Sequence, residues 1–165
     1  MYLTIKDVIE FLPKIKGVTY KQFELSDAFN ITNGAFEGYS AQRLIGVKEL
    51  LESQSKYGFA ITCFLHGEPV ACFGCAPLWK GVAEMWSVIG DNARTHPIAM
   101  TKTGISFADI CEIYFRLHRL QITVKTSDKR ANSWARAIGF TFESTMKQYS
   151  SDSEDYNLMV RIKNG

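Results

Sequence analysis

Glu84 could move a proton. It stands in Ala83-Glu84-Met85-Trp86, a run of β-formers in which alternate side chains face a sheet interior. Turned inward, a glutamate loses hydration, its pKa rises, and it can take a proton from an amine near neutral pH. Turned outward, it is simply solvated, and alternation fits either face. Further along comes Arg94-Thr95-His96-Pro97-Ile98-Ala99-Met100. Pro97 suits the first turn of a helix, whose opening N–H groups attract anions. Arg94, His96 and Lys102 bracket that opening, so a phosphate or diphosphate is the expected guest. Asp128 caps the next helix and is followed by Lys129 and Arg130, a second cationic helix mouth. Scattered surface charge is the plain alternative for both.

Cys72 and Cys75 spell C-x-x-C. A redox pair of this spacing opens a helix, whereas these two lie in a predicted strand. As half of a zinc site they need Cys63, His66 or Cys111 to converge on them. All four cysteines have apolar neighbours and read as reduced core thiols. His66, His96 and His118 keep no ligand spacing from one another, so no metal is expected. Ser87 and Cys75 have no visible histidine partner that would make either a nucleophile.

These residues need elements to hold them. Thr4 caps a first helix, with Asp7 completing a near capping box, and Pro13 and Gly17 end it. Val18 to Leu25 reads as an edge strand and Ser26 to Gly38 as a loop. A second helix from Ser40 to Lys56 turns Leu44, Ile45, Val47, Leu50 and Leu51 inward. Phe59 to Leu65 begins a three-strand meander, with turns at His66-Gly67 and around Pro77 to Gly81. A third helix runs from Pro97 to Phe115, with Gly104 as a break or kink. Leu117 to Lys125 is a strand, Asp128 to Gly139 a fourth helix, and Phe140 to Tyr149 with Tyr156 to Lys163 a closing hairpin. Phe73, Trp79, Trp86, Phe107, Trp134 and Phe140 read as core. The acidic tip Asp152, Glu154 and Asp155 is a solvated loop or a lure for a cationic amine.

The order implies one α/β domain over residues 1–165, a mixed sheet covered on both faces. Residues 1–56 form a helical entry and 59–165 the core. A net charge of +2 is too small for a nucleic-acid surface. No apolar run is long enough for a membrane span, and no signal peptide opens the chain, so cytoplasmic residence is expected.

From Phe59 onward, strand, R-x-x-[G]-x-A loop, helix, strand, and short helix ending in Gly139-Phe140 resemble the GNAT-type N-acetyltransferases, and small GNAT-like bacteriophage proteins in particular. The resemblance implies acetyl-CoA or coenzyme A as cofactor and an amine, on a small molecule or a protein, as acceptor. It makes Glu84 the general base. Val88 and Gly90 hold the pantetheine arm, and Arg94, Thr95, His96, Pro97, Ile98, Ala99 and Met100 hold the pyrophosphate. Asp128, Ala131 and Trp134 complete the cofactor contacts. Pro97 stands where the family has its first loop glycine, and Ala135 where it has the tyrosine that protonates the departing thiolate. Those departures motivate the alternative of a catalytically degenerate phage protein that binds, inhibits or rides in a virion. A homodimer is left open.

Overall fold

The computed structural model describes residues 3–31, 36 and 39–163. Of the loop expected at Ser26 to Gly38, residues 32–35, 37 and 38 lie outside the described residues.

The chain runs α1 (Ile5–Phe11), β1 (Val18–Gln22), α2 (Leu25–Asn30), α3 (Ala41–Tyr57), β2 (Phe59–Leu65), β3 (Glu68–Trp79) and β4 (Val82–Ile89). Then follow α4 (Asp91–Arg94), α5 (Pro97–Tyr114), β5 (Arg119–Lys125), α6 (Lys129–Ala137), β6 (Thr141–Met146) and β7 (Tyr156–Ile162). The strands form one sheet in the order β1-β2-β3-β4-β5-β7-β6. Every neighbouring pair is antiparallel except β4 and β5, which are parallel because α4 and α5 carry the chain back between them.

Local chemistry accounts for most boundaries. Thr4 Oγ1 accepts the Asp7 N–H and the Asp7 carboxylate accepts the Thr4 N–H, a complete capping box. His66 and Gly67 both take positive φ, as a tight β2–β3 turn requires. Asp128 accepts the Ala131 N–H to open α6, and Gly139, at φ +100°, ends it.

Several expectations need correcting. Leu25 to Asn30 is a short helix; its capping box joins Glu24 and Asp27, a pair without the hydroxyl that usually flags a cap. Pro77 lies inside β3, at an irregularity between Pro77 and Trp79, and the β3–β4 turn falls at Lys80 and Gly81. Proline has no N–H for the ladder, so the register slips there. Trp79 is 68% exposed at that hairpin tip and is not core. On α3, Ile45 and Leu50 are 62% and 54% exposed and face outward, while Leu51 is buried. Gly104 does not break α5; it lets the Trp134 indole approach, since a Cβ there would sit 3.0 Å from the ring.

Two apolar layers cover the sheet. One, under α1, α5 and α6, holds Phe73, Met85, Phe107, Leu120, Ile122 and Phe140. The other, under α2 and α3, holds Phe23, Ala28, Leu51, Ala60, Cys72 and Val88. Cys72 and Cys75 fall in opposite layers, because residues three apart on a strand point to opposite faces. The C-x-x-C therefore cannot converge on an ion, and no cluster of metal-ligating side chains occurs among the described residues.

Candidate functional site

Parallel β4 and β5 pair over Val82–Glu84 against Arg119–Gln121 and no further. Past Glu84 and Gln121 the strands part, while β4 stays paired to β3 and β5 to β7. Met85–Ile89 and Ile122–Lys125 thus turn unpaired backbone edges toward a wedge-shaped gap. Unpaired N–H and C=O groups at an edge are ready to pair with an extended, amide-bearing ligand. The gap is also open to solvent. Ser87 lies opposite Phe73 in the ladder and shares its face, yet Phe73 is fully buried and Ser87 exposed.

Glu84 sits at the apex, its side chain on the α3 side with Gln121 as register partner. It is half-buried, and burial pushes its carboxyl above the ordinary 4.5, with a hydrogen bond from Gln121 opposing the shift. Gln121 is held in turn, since its Oε1 accepts from Arg119 Nε at 2.9 Å, and Arg119 clamps Glu143 with two bonds of 2.8 and 2.7 Å. Tyr149, 51% exposed, borders the same spot: burial and the Glu84 charge both raise its phenol. Sequence left Glu84's orientation open; the register turns it to the half-buried side.

The other end of the wedge meets the start of α5. His96 occupies its N-cap without a side-chain cap; the ring Nδ1 lies 2.9 Å from Thr95 Oγ1 and 3.1 Å from the Asn92 carbonyl. Pro97 has no N–H, and the Met100 N–H reaches the His96 carbonyl at 3.1 Å. The N–H groups of Ile98 and Ala99 are therefore left without partners among the described residues. Arg94 closes α4 beside them, its Nη2 3.8 Å from Asp128 Oδ2 at the start of α6. These features suit a diphosphate: two free donors, a dipole and a guanidinium at one helix start.

The structure brings Arg94, His96, Pro97, Ile98, Ala99 and Asp128 to one mouth and does not bring all the expected residues with them. The Met100 side chain is buried in the core and its N–H is spent inside the helix turn. The Thr95 hydroxyl closes its own turn on the Asn92 carbonyl at 2.7 Å. Val88 sends its side chain into the α2–α3 layer and its backbone faces Cys72 of β3, while Gly90 donates its N–H to the Val70 carbonyl and accepts from Ala93 and Arg94. Neither turns a free group to the wedge; the alternate residues Met85, Ser87 and Ile89 do. The Ala131 N–H is taken by Asp128. Trp134 lies between α6, Gly104 of α5 and Phe73, with its indole N–H buried and unpartnered. Ala135, 1% exposed, points into the core.

Across the α3 side lies a clasp that local sequence signals do not reveal. Arg43 of α3 is 7% exposed; it bonds Glu154 and the Tyr156 hydroxyl, approaches Asp152 at 3.7 Å, and lies 3.7 Å over the Tyr39 ring. Ser40 Oγ donates to Asp152 at 2.8 Å, Lys125 pairs with Glu154, and Lys147 with Asp155 at 3.0 Å. The hairpin acids are thus neutralised by the protein's own cations and offer no free lure for a cationic amine.

This mixed seven-stranded sheet, with β4 and β5 the one parallel pair among the described residues and helices on both faces, has the fold of the GNAT-type N-acetyltransferases. No protein-family model and no curated protein sequence matches the chain. Solved structures do match in shape. The ribosomal-protein-S5-alanine acetyltransferase from Vibrio fischeri superposes with a TM-score of 0.67 at 16% identity, over 92% of this chain and 96% of that one. RimL, a ribosomal L7/L12 alpha-N-protein acetyltransferase in complex with coenzyme A, gives 0.65 at 16% identity over 92% and 97%. The putative acetyltransferase yncA from Salmonella typhimurium, with its cofactor acetyl-CoA, gives 0.58 at 10% over 90% and 95%. At these identities the likeness establishes the fold.

Proposed function

We propose that this protein transfers an acetyl group from acetyl-CoA to an amine by direct attack, with Glu84 as the base. One observation carries the reading: β4 and β5 part at the level of Glu84, above a helix start with free N–H groups and an arginine. The cofactor-bearing neighbours support it. Acetyl-CoA, when bound, would supply a thioester carbonyl open to attack by an amine, the amide C–N bond forming as the C–S bond breaks and coenzyme A leaves as its thiolate, to be protonated to the thiol. The chain's own share is to hold the diphosphate at Arg94, Ile98 and Ala99 and to present the free edges of β4 and β5 to the amide-bearing arm. Glu84, made more basic by burial and oriented by Gln121, accepts as its carboxylate the proton that the amine sheds. The amine enters from the α3 side, past Tyr149. Two neighbours are named for protein amines, which supports a protein amino terminus as well as a small amine as acceptor.

A thermal-shift titration tests this. Acetyl-CoA at about a hundredfold above its dissociation constant is expected to add roughly 2.7 kcal/mol of stability. No shift at millimolar cofactor overturns the reading. A second reading, a protein that keeps the fold without turnover, is favoured by the N–H missing at Pro97 and by the buried Ala135. Cofactor binding without acetyl transfer to any of a panel of amines would select it.

A further inference from the structure

We infer that Asp128 is the resident counter-ion of Arg94, which a bound diphosphate must displace, so that Asp128 sets the affinity of the site. The inference rests on the cofactor reading above. β4 leads into α4 and β5 leads toward α6, so Arg94 and Asp128 stand on the two lips of the wedge. Asp128 is held in place by its backbone and one oxygen. Its N–H donates to the Lys125 carbonyl at 3.0 Å, its carbonyl accepts from Asn132 Nδ2 at 2.7 Å, and Oδ1 accepts the Ala131 N–H at 2.9 Å. The remaining oxygen, Oδ2, is turned to Arg94 Nη2 at 3.8 Å across the mouth.

Capping does not call for this charge, since asparagine caps a helix as well as aspartate does. At a mouth built for a dianion, a fixed carboxylate repels the guest and occupies the guanidinium that would receive it. The consequence is uniform: the acyl cofactor and the product coenzyme A, which share one diphosphate, are weakened alike. Uniform weakening costs affinity and speeds product departure, which limits turnover in many enzymes.

Calorimetric titration of coenzyme A into four proteins tests this: wild type, Asp128→Asn, Arg94→Gln and the double variant. Asp128→Asn retains the cap and is expected to lower the dissociation constant about three- to tenfold, the range of a partly exposed charge pair. Arg94→Gln is expected to raise it roughly tenfold, as loss of a charge-assisted contact does. Combined with Arg94→Gln, Asp128→Asn is expected to bring a smaller gain, because only the direct repulsion of the guest is left to relieve. Inorganic pyrophosphate should reproduce the pattern. Unchanged or weaker binding in Asp128→Asn, a gain that survives Arg94→Gln undiminished, or a gain absent with pyrophosphate would each overturn the inference while leaving the cofactor reading intact. Absence of coenzyme A binding in all four proteins would remove the cofactor reading and this inference with it.

Discussion

Glu84 is identified by its sequence only as a glutamate on a strand; its value to a reaction comes from where the β4–β5 ladder ends. Burial raises its folded pKa above the unfolded value. The folded state therefore holds its proton to higher pH than the unfolded chain, and stability falls as pH rises from the ordinary 4.5 through the folded pKa. Two outcomes follow for Glu84→Gln. Turnover should drop roughly a hundredfold or more with coenzyme A affinity retained, and the acid limb of kcat/KM, placed above pH 4.5 in the wild type, should vanish. In urea denaturation the variant should match or exceed wild-type stability at neutral pH, and lose that advantage in acid. Ala135 makes the complementary case. It occupies the tyrosine position of the resembled family yet faces the core, so a phenol has no space there. Ala135→Tyr is expected to cost about 1–3 kcal/mol in chemical denaturation without raising turnover.

Elements were legible where their signals are local. Thr4 with Asp7, His66-Gly67, Asp128 and Gly139 act through bonds or dihedrals a few residues long, and each lies where the pattern put it. α2 escaped because six residues show no helical period and its cap is acid to acid. α3 was misfaced because its apolar residues lie on more than one side, so periodicity alone does not choose between Ile45 and Leu51. The clasp was invisible for another reason: Arg43 and Glu154 stand 111 residues apart, and nothing in either neighbourhood announces the other. Removing the guanidinium leaves Asp152 and Tyr156 without it, and Arg43→Ala should cost about 2–4 kcal/mol in urea denaturation. Gly58, between α3 and β2, is equally positional. A Cβ there would meet the Cys75 carbonyl oxygen at 1.7 Å, so Gly58→Ala should lower the melting temperature by several degrees, about 2 kcal/mol or more.

For the molecule as a whole, a small net charge conceals a local one. The formal balance is only +2, yet the α5 mouth gathers Arg94 and free N–H groups at one place, where the proposed diphosphate would sit. Coenzyme A binding should therefore weaken as salt is raised from 0.05 to 0.5 M, by about tenfold or less, since the Debye length falls below the size of the site. A salt-insensitive dissociation constant in calorimetry would place the cofactor elsewhere. By itself the sequence determined the order of the strands and of every helix but the short α2 and α4, most of their ends, the mixed sheet and the helix start at Pro97, since these depend on period, capping and turn chemistry within a few residues. Only the tertiary structure decided where β4 and β5 separate, which face Glu84 takes and which cations hold the hairpin acids. It also decided that Arg94 meets Asp128. Each of these is a contact between segments far apart in the chain, and such contacts are chosen by the packing of the whole sheet, to which no short stretch of residues has access.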